Sequence, residues 1–122
     1  MLDDQSAFEQ AMRHLFEQGK PCRGEDGYCA YRGPYNTKCA VGALIPDDQY
    51  SPLFEGEDMD HLKGAVPNLH KVSKHLLLRL QALHDTNLNW GKSGFTGFEA
   101  AMKIATDFRL DASILSTLRE NQ

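Results

Sequence analysis

At 122 residues the chain suits one domain with a single core and has no room for two. Apolar residues at 41% and charged ones at 25% are those of an ordinary globular protein, and no apolar run approaches the ~18–20 residues of a membrane span. A net charge of −4 disfavours a general nucleic-acid coat, whose affinity rests on a basic face that neutralises phosphates.

The start, Met1-Leu2-Asp3-Asp4, is acidic where a secretory signal would be basic and then apolar, so the reading is a cytoplasmic protein. Three cysteines, at 22, 29 and 39, fit reduced thiols better than a disulfide scaffold. Six and nine residues intervene between them, and a zinc site needs closer pairs to aim two sulfurs at one ion. Neither a metal nor another cofactor is expected.

Residues 5–19 read as the first helix. Ser6-x-x-Glu9 has the form of a capping box, Phe8, Met12, Leu15 and Phe16 share a face, and Gly19 and Pro21 end the helix. Residues 20–38 are punctuated by Gly24, Gly27, Gly33 and Pro34. Tyr28-Cys29-Ala30-Tyr31 suits a short strand, and Gly33 to Asn36 a turn. The run from Cys39 to Ile45, closed by Pro46, reads as a short helix with Thr37 near its cap, with a returning strand as the alternative.

From 46 to 68 the pattern is mostly irregular. Ser51-Pro52 opens one helical turn, and Leu53, Phe54, Met59, Leu62 and Val66 point to the core. The strongest periodicity follows. Leu69, Val72, Leu76, Leu80 and Leu83 step by three or four, predicting a helix over 69–84. A loop over 87–97 holds Trp90. Thr96-x-x-Glu99 resembles a second capping box before a helix with Phe98, Met102, Ala105 and Phe108 inward. Asp111 then caps a last helix that buries Ile114, Leu115 and Leu118. The predicted fold is mainly α, with four to six helices, a small β-hairpin near residues 28–41 and one compact domain.

Two constellations bear on function. Cys39, His84 and Asp85 could form a nucleophile, a base and its orienting carboxylate. Flanked by Ala, Val and Gly, Cys39 reads first as a core thiol and second as that nucleophile. His14, His70 and His75 fall on amphipathic stretches and read as surface residues. Between Lys38 and Lys63 there is no Lys or Arg, while Asp47, Asp48, Glu55, Glu57, Asp58 and Asp60 all fall there. Such a run is a solvated acidic loop or a patch for a basic partner. Tyr28, Tyr31, Tyr35 and Tyr50 supply the aromatics that interfaces favour.

Cys39-Ala40-Val41-Gly42-Ala43-Leu44, followed by a leucine-rich helix ending in His84-Asp85, resembles an uncharacterised family of small bacterial and phage-encoded proteins. Its members share a Cys-Ala-x-Gly-Ala-Leu segment after an aromatic hairpin, then an Asn-Asp or His-Asp pair. The resemblance covers roughly residues 8–118 and implies no reaction. A phage-type origin would imply an accessory role. The expectation is therefore a binding protein that meets a basic protein surface, with a cysteine-dependent hydrolase or transferase as the alternative.

Overall fold

A computed structural model describes residues 1–24 and 30–120. The strand expected at 28–31 lies largely outside them. Helix α1, Asp4–Gln18, runs past the core with Phe8, Met12 and Leu15 fully enclosed. Its cap is Asp3 rather than Ser6. The Asp3 carboxylate accepts from the Ser6 N–H at 2.8 Å, which places Ser6 inside the first turn and holds the Asp3 pKa down. Gly19 closes the helix at φ 71, a conformation that disfavours any side chain.

A polar stripe on α1 with four-residue spacing grips the segment that follows. The Gln10 amide donates to Ala43 O at 3.0 Å, and His14 Nε2 lies 2.8 Å from Lys38 O. Gln18 donates to Lys38 O at 2.9 Å and accepts from Lys38 N at 2.8 Å. His14 is thus half-buried, not the surface residue its pattern suggested, whereas His70 and His75 are exposed.

The gripped segment turns back on itself. Arg32 and Lys38 form an antiparallel bridge, and Tyr35 and Asn36, both at φ 59, make the tight turn between them. Thr37 is not a helix cap. Its hydroxyl reaches the Pro34 carbonyl at 2.8 Å and the Cys22 sulfur at 3.3 Å. The apolar run then forms a single 3-10 turn, Gly42–Leu44, with Cys39, Ala40, Val41 and Leu44 fully enclosed. Gly42 is obligatory for packing, because a Cβ there would fall on the Tyr31 carbonyl oxygen.

Ser51 caps the turn Pro52–Phe54 as its Ser-Pro pair predicts. Leu53, expected inside, is 81% exposed. Helix α2, Met59–Ala65, was not visible in the periodicity. Seven residues are too few to show it, and Gly64 argues against it. The Asp58 carboxylate, accepting from the His61 N–H at 2.8 Å, starts this helix.

Helix α3, Lys74–Asp85, begins later than its leucine pattern implies, because Pro67–Leu69 folds as a separate 3-10 turn. Leu69, Val72, Leu76, Leu77, Leu80 and Leu83 are buried all the same. The expected 87–97 loop contains the regular hairpin of the described residues. Strands β1, Trp90–Gly91, and β2, Gly94–Phe95, pair antiparallel, with Trp90 opposite Phe95.

Helix α4, Phe98–Asp107, has Gly97 as its N-cap and no side-chain cap, so Thr96-x-x-Glu99 is not a capping box. The side chain of Asn89 occupies the space a Cβ at Gly97 would need. Ala101 and Ile104 face inward with Phe98 and Ala105, while Met102 is 46% exposed. Asp111 does take the Ser113 N–H at 2.8 Å, at the entry to helix α5, Ser113–Glu120. No described helix is long and apolar enough to cross a membrane.

Candidate functional site

His84 stands at the last turn of α3 with no exposed surface. The sequence offers His84 as a candidate base; the structure makes it part of the core. Its Nδ1 lies 2.8 Å from Asp85 Oδ1, so the two neighbouring side chains do meet, against the expectation from a regular helix. Its Nε2 accepts the backbone N–H of Cys22 at 2.8 Å. These partners fix the tautomer. Nδ1 carries the proton toward the carboxylate, and the Nε2 lone pair is committed to a main-chain donor. Trp90 completes the enclosure, its ring edge-on to His84 at 5.9 Å and its Nε1 donating to His84 O at 2.8 Å.

This arrangement latches the chain at Cys22 onto the end of α3. A base must have a free lone pair for the proton it removes, and His84 has none. Cys39 is fully buried, and its sulfur accepts from the Gly42 N–H at 3.1 Å. Burial pushes the Cys39 thiol strongly upward, with the Gly42 N–H and the Gln81 amide opposing only in part. A reactive cysteine has the opposite environment, electropositive and accessible. Cys22 is likewise enclosed, and its thiol is raised by burial against the lowering effect of Thr37. Cys39, His84 and Asp85 therefore stand here as packing and positioning residues. Among the described residues no group of His, Cys, Asp and Glu is arranged to hold a metal ion.

The acidic run has a different architecture from the one its spelling suggests. Glu55 points inward. Its carboxylate accepts from Tyr31 N at 2.8 Å, Arg32 N at 3.2 Å and the Tyr50 hydroxyl at 2.5 Å. Burial first, and then this bond to Glu55, push the Tyr50 hydroxyl up to about 12, so it remains a donor. Tyr31 is also raised to about 12, chiefly by burial, and reaches the Glu57 carbonyl at 3.4 Å.

Arg32, which no sequence pattern singles out, ties the region together. Its guanidinium lies 4.3 Å from the Tyr50 ring centroid, donates to Ile45 O at 3.0 Å and pairs with Asp47 at 2.8 Å. Lys38 approaches the same carboxylate at 3.8 Å. Asp60 pairs with Lys74 at 2.8 Å, Glu57 stands 4.0 Å from His61, and Asp58 caps α2. Bases remote in sequence thus fold back onto acids that looked unopposed.

What remains outward is Asp48, the outer edges of Asp47, Glu57, Asp58 and Asp60, and Leu53 at the tip. Tyr50 and Phe54 meet edge-on at 6.2 Å beneath that tip. Tyr31 and Tyr50 belong to this face as half-buried supports. Tyr35 lies on the 34–37 turn instead, 89% exposed, with the Lys20 ammonium 5.8 Å from its ring. No family model, curated protein or solved structure matches the chain.

Proposed function

We propose that this chain is a small cytoplasmic accessory protein that acts by docking its 47–60 face onto a partner protein with a basic surface. One observation carries the reading. Leu53, 81% exposed, tops a 3-10 turn flanked within six residues by Asp47, Asp48, Glu57 and Asp58. An exposed leucine inside a charged rim is the composition of a contact site: the apolar group gives affinity and the charges steer the approach. The three hydrogen bonds to Glu55 hold the base of this face in place before any partner arrives, which lowers the ordering cost of association. The enclosed thiol and committed imidazole give the cysteine-enzyme reading no comparable support.

The test is site-specific photo-cross-linking in cells from position 53, with position 88 as control, because Leu88 is also highly exposed but lies outside the acidic segment. A protein captured from 53 and not from 88, with recovery that falls as salt rises and is lost in Asp48→Lys/Glu57→Lys, is the expected result. Indistinguishable capture from the two positions would overturn the proposal.

A further inference from the structure

Beside α1 lies an open cleft of about 390 Å³, lined by Gln10, Arg13, His14, Glu17, Asn36 and Lys38 together with Ala43. Its walls are α1 on one side and the 34–43 segment on the other, joined along the floor by the Gln10 and His14 bonds to Ala43 O and Lys38 O. Those bonds fix the separation of the walls, so the cleft is a built feature of the fold. Arg13 projects from α1 with no ion pair or hydrogen bond among the described residues. Opposite it, Lys38 has only the long 3.8 Å approach to Asp47. Asn36 adds an exposed amide from the turn.

We propose that this cleft is a binding site for the oxyanion group of a small ligand, held between the Arg13 guanidinium and the Lys38 ammonium. A guanidinium fork from one wall and an ammonium from the other, both lining one cleft, suit a phosphoryl or carboxylate group, whose oxygens accept charge-assisted hydrogen bonds from both. The space exceeds what a bare ion needs, leaving room for the body of a small molecule against Asn36, Gln10 and Ala43. Glu17 in the wall and the net charge of −4 oppose a long polyanion, which needs a continuous basic track. The site meets the rim of the partner-binding face only through the 3.8 Å approach of Lys38 to Asp47, and Leu53 takes no part in it.

The experiment is an NMR titration of the full chain, following the His14 imidazole and the Asn36 and Lys38 amides. Inorganic phosphate is the first ligand, acetate the carboxylate arm, and sodium chloride the control for ionic strength. Saturable shifts confined to these residues are expected. Arg13→Gln and Lys38→Gln should each weaken binding by on the order of tenfold, and Arg13→Lys and Lys38→Arg should retain most of it. Saturation by phosphate alone assigns the site to phosphoryl groups, and saturation by acetate as well assigns it to oxyanions generally; both support the proposal. Shifts that do not saturate, that chloride reproduces, or that persist at equal affinity in both Gln variants overturn it. If a Gln variant fails to fold, the charge-conserving pair decides: binding lost in both of those also overturns it. Leu53→Asp should leave the titration unchanged, so failure here and failure of the partner-binding reading are separable.

Discussion

The chemistry of single residues in this molecule is set by what encloses them. Cys39 and Cys22 are both sealed, so alkylation of either in the native protein should be limited by opening and should rise by orders of magnitude on denaturation. Mass-spectrometric timing of each site checks this; fast native labelling of Cys39 would contradict its place in the core. Glu55 presents the reverse case, a carboxylate that serves as an internal acceptor. Glu55→Ala leaves the Tyr31 and Arg32 N–H groups half-buried without it and should cost about 1–3 kcal/mol in urea unfolding.

His14 adds a dependence on pH. Its pKa lies below the ordinary 6.5, first because burial penalises the charged ring. A folded value depressed below the unfolded one means the contribution is complete above 6.5 and is lost as pH falls through the folded value. Stability should therefore decline below pH 6.5, before the carboxylates of Asp3, Asp107 and Asp111, with ordinary values of 3.8, begin to titrate. His14→Gln keeps a donor for Lys38 O and should flatten that decline; an unchanged slope would remove His14 as its source.

At the scale of elements, two glycines are informative because they should respond in opposite directions. Gly42→Ala drives a methyl onto the Tyr31 carbonyl, a backbone atom that cannot rotate away, and should destabilise by roughly 2 kcal/mol or more. Gly64 lies within α2 with open space around it, and Gly64→Ala should stabilise by about 0.5–1 kcal/mol. Leu76→Ala, on the enclosed face of α3, should cost ~2–5 kcal/mol. Equilibrium denaturation measures all three.

The long helices were legible because their apolar residues repeat over several turns, as Phe8-Met12-Leu15 and Leu76-Leu80-Leu83 do. Helix α2 and the Trp90–Phe95 hairpin were not, because each is too short to carry a period. The caps at Ser6 and Thr96 were misplaced for a related reason. Capping motifs are local patterns, and the choice between Asp3 and Ser6, or between Thr96 and Gly97, is made by where the helix docks. The acidic run was legible as composition alone, since its partners Arg32, Lys38 and Lys74 become neighbours only on folding.

For the whole molecule, charge is distributed rather than pooled, and association should show it. The pairs at Asp47 and Asp60 are exposed on the acid side and contribute little to stability, so their removal should leave the unfolding midpoint nearly unchanged. Reversing Asp48, which has no ion pair among the described residues, together with Glu57 should slow association with the proposed basic partner by about tenfold or more at low ionic strength and weaken the salt dependence of the on-rate. Stopped-flow or surface-binding kinetics would show it, and an unchanged on-rate would exclude long-range steering by this face.

Trp90 is the single tryptophan of the chain, and it touches the latch twice at its His84 end, edge-on to the imidazole and bonded through Nε1 to the His84 carbonyl. The molecule therefore carries an intrinsic optical gauge at the point where residues 62 positions apart, Cys22 and His84, are fastened together. Release of that fastening exposes the indole to water. In His84→Ala the emission should shift to the red at denaturant concentrations too low to unfold α1, separating local unfastening from global collapse of the fold.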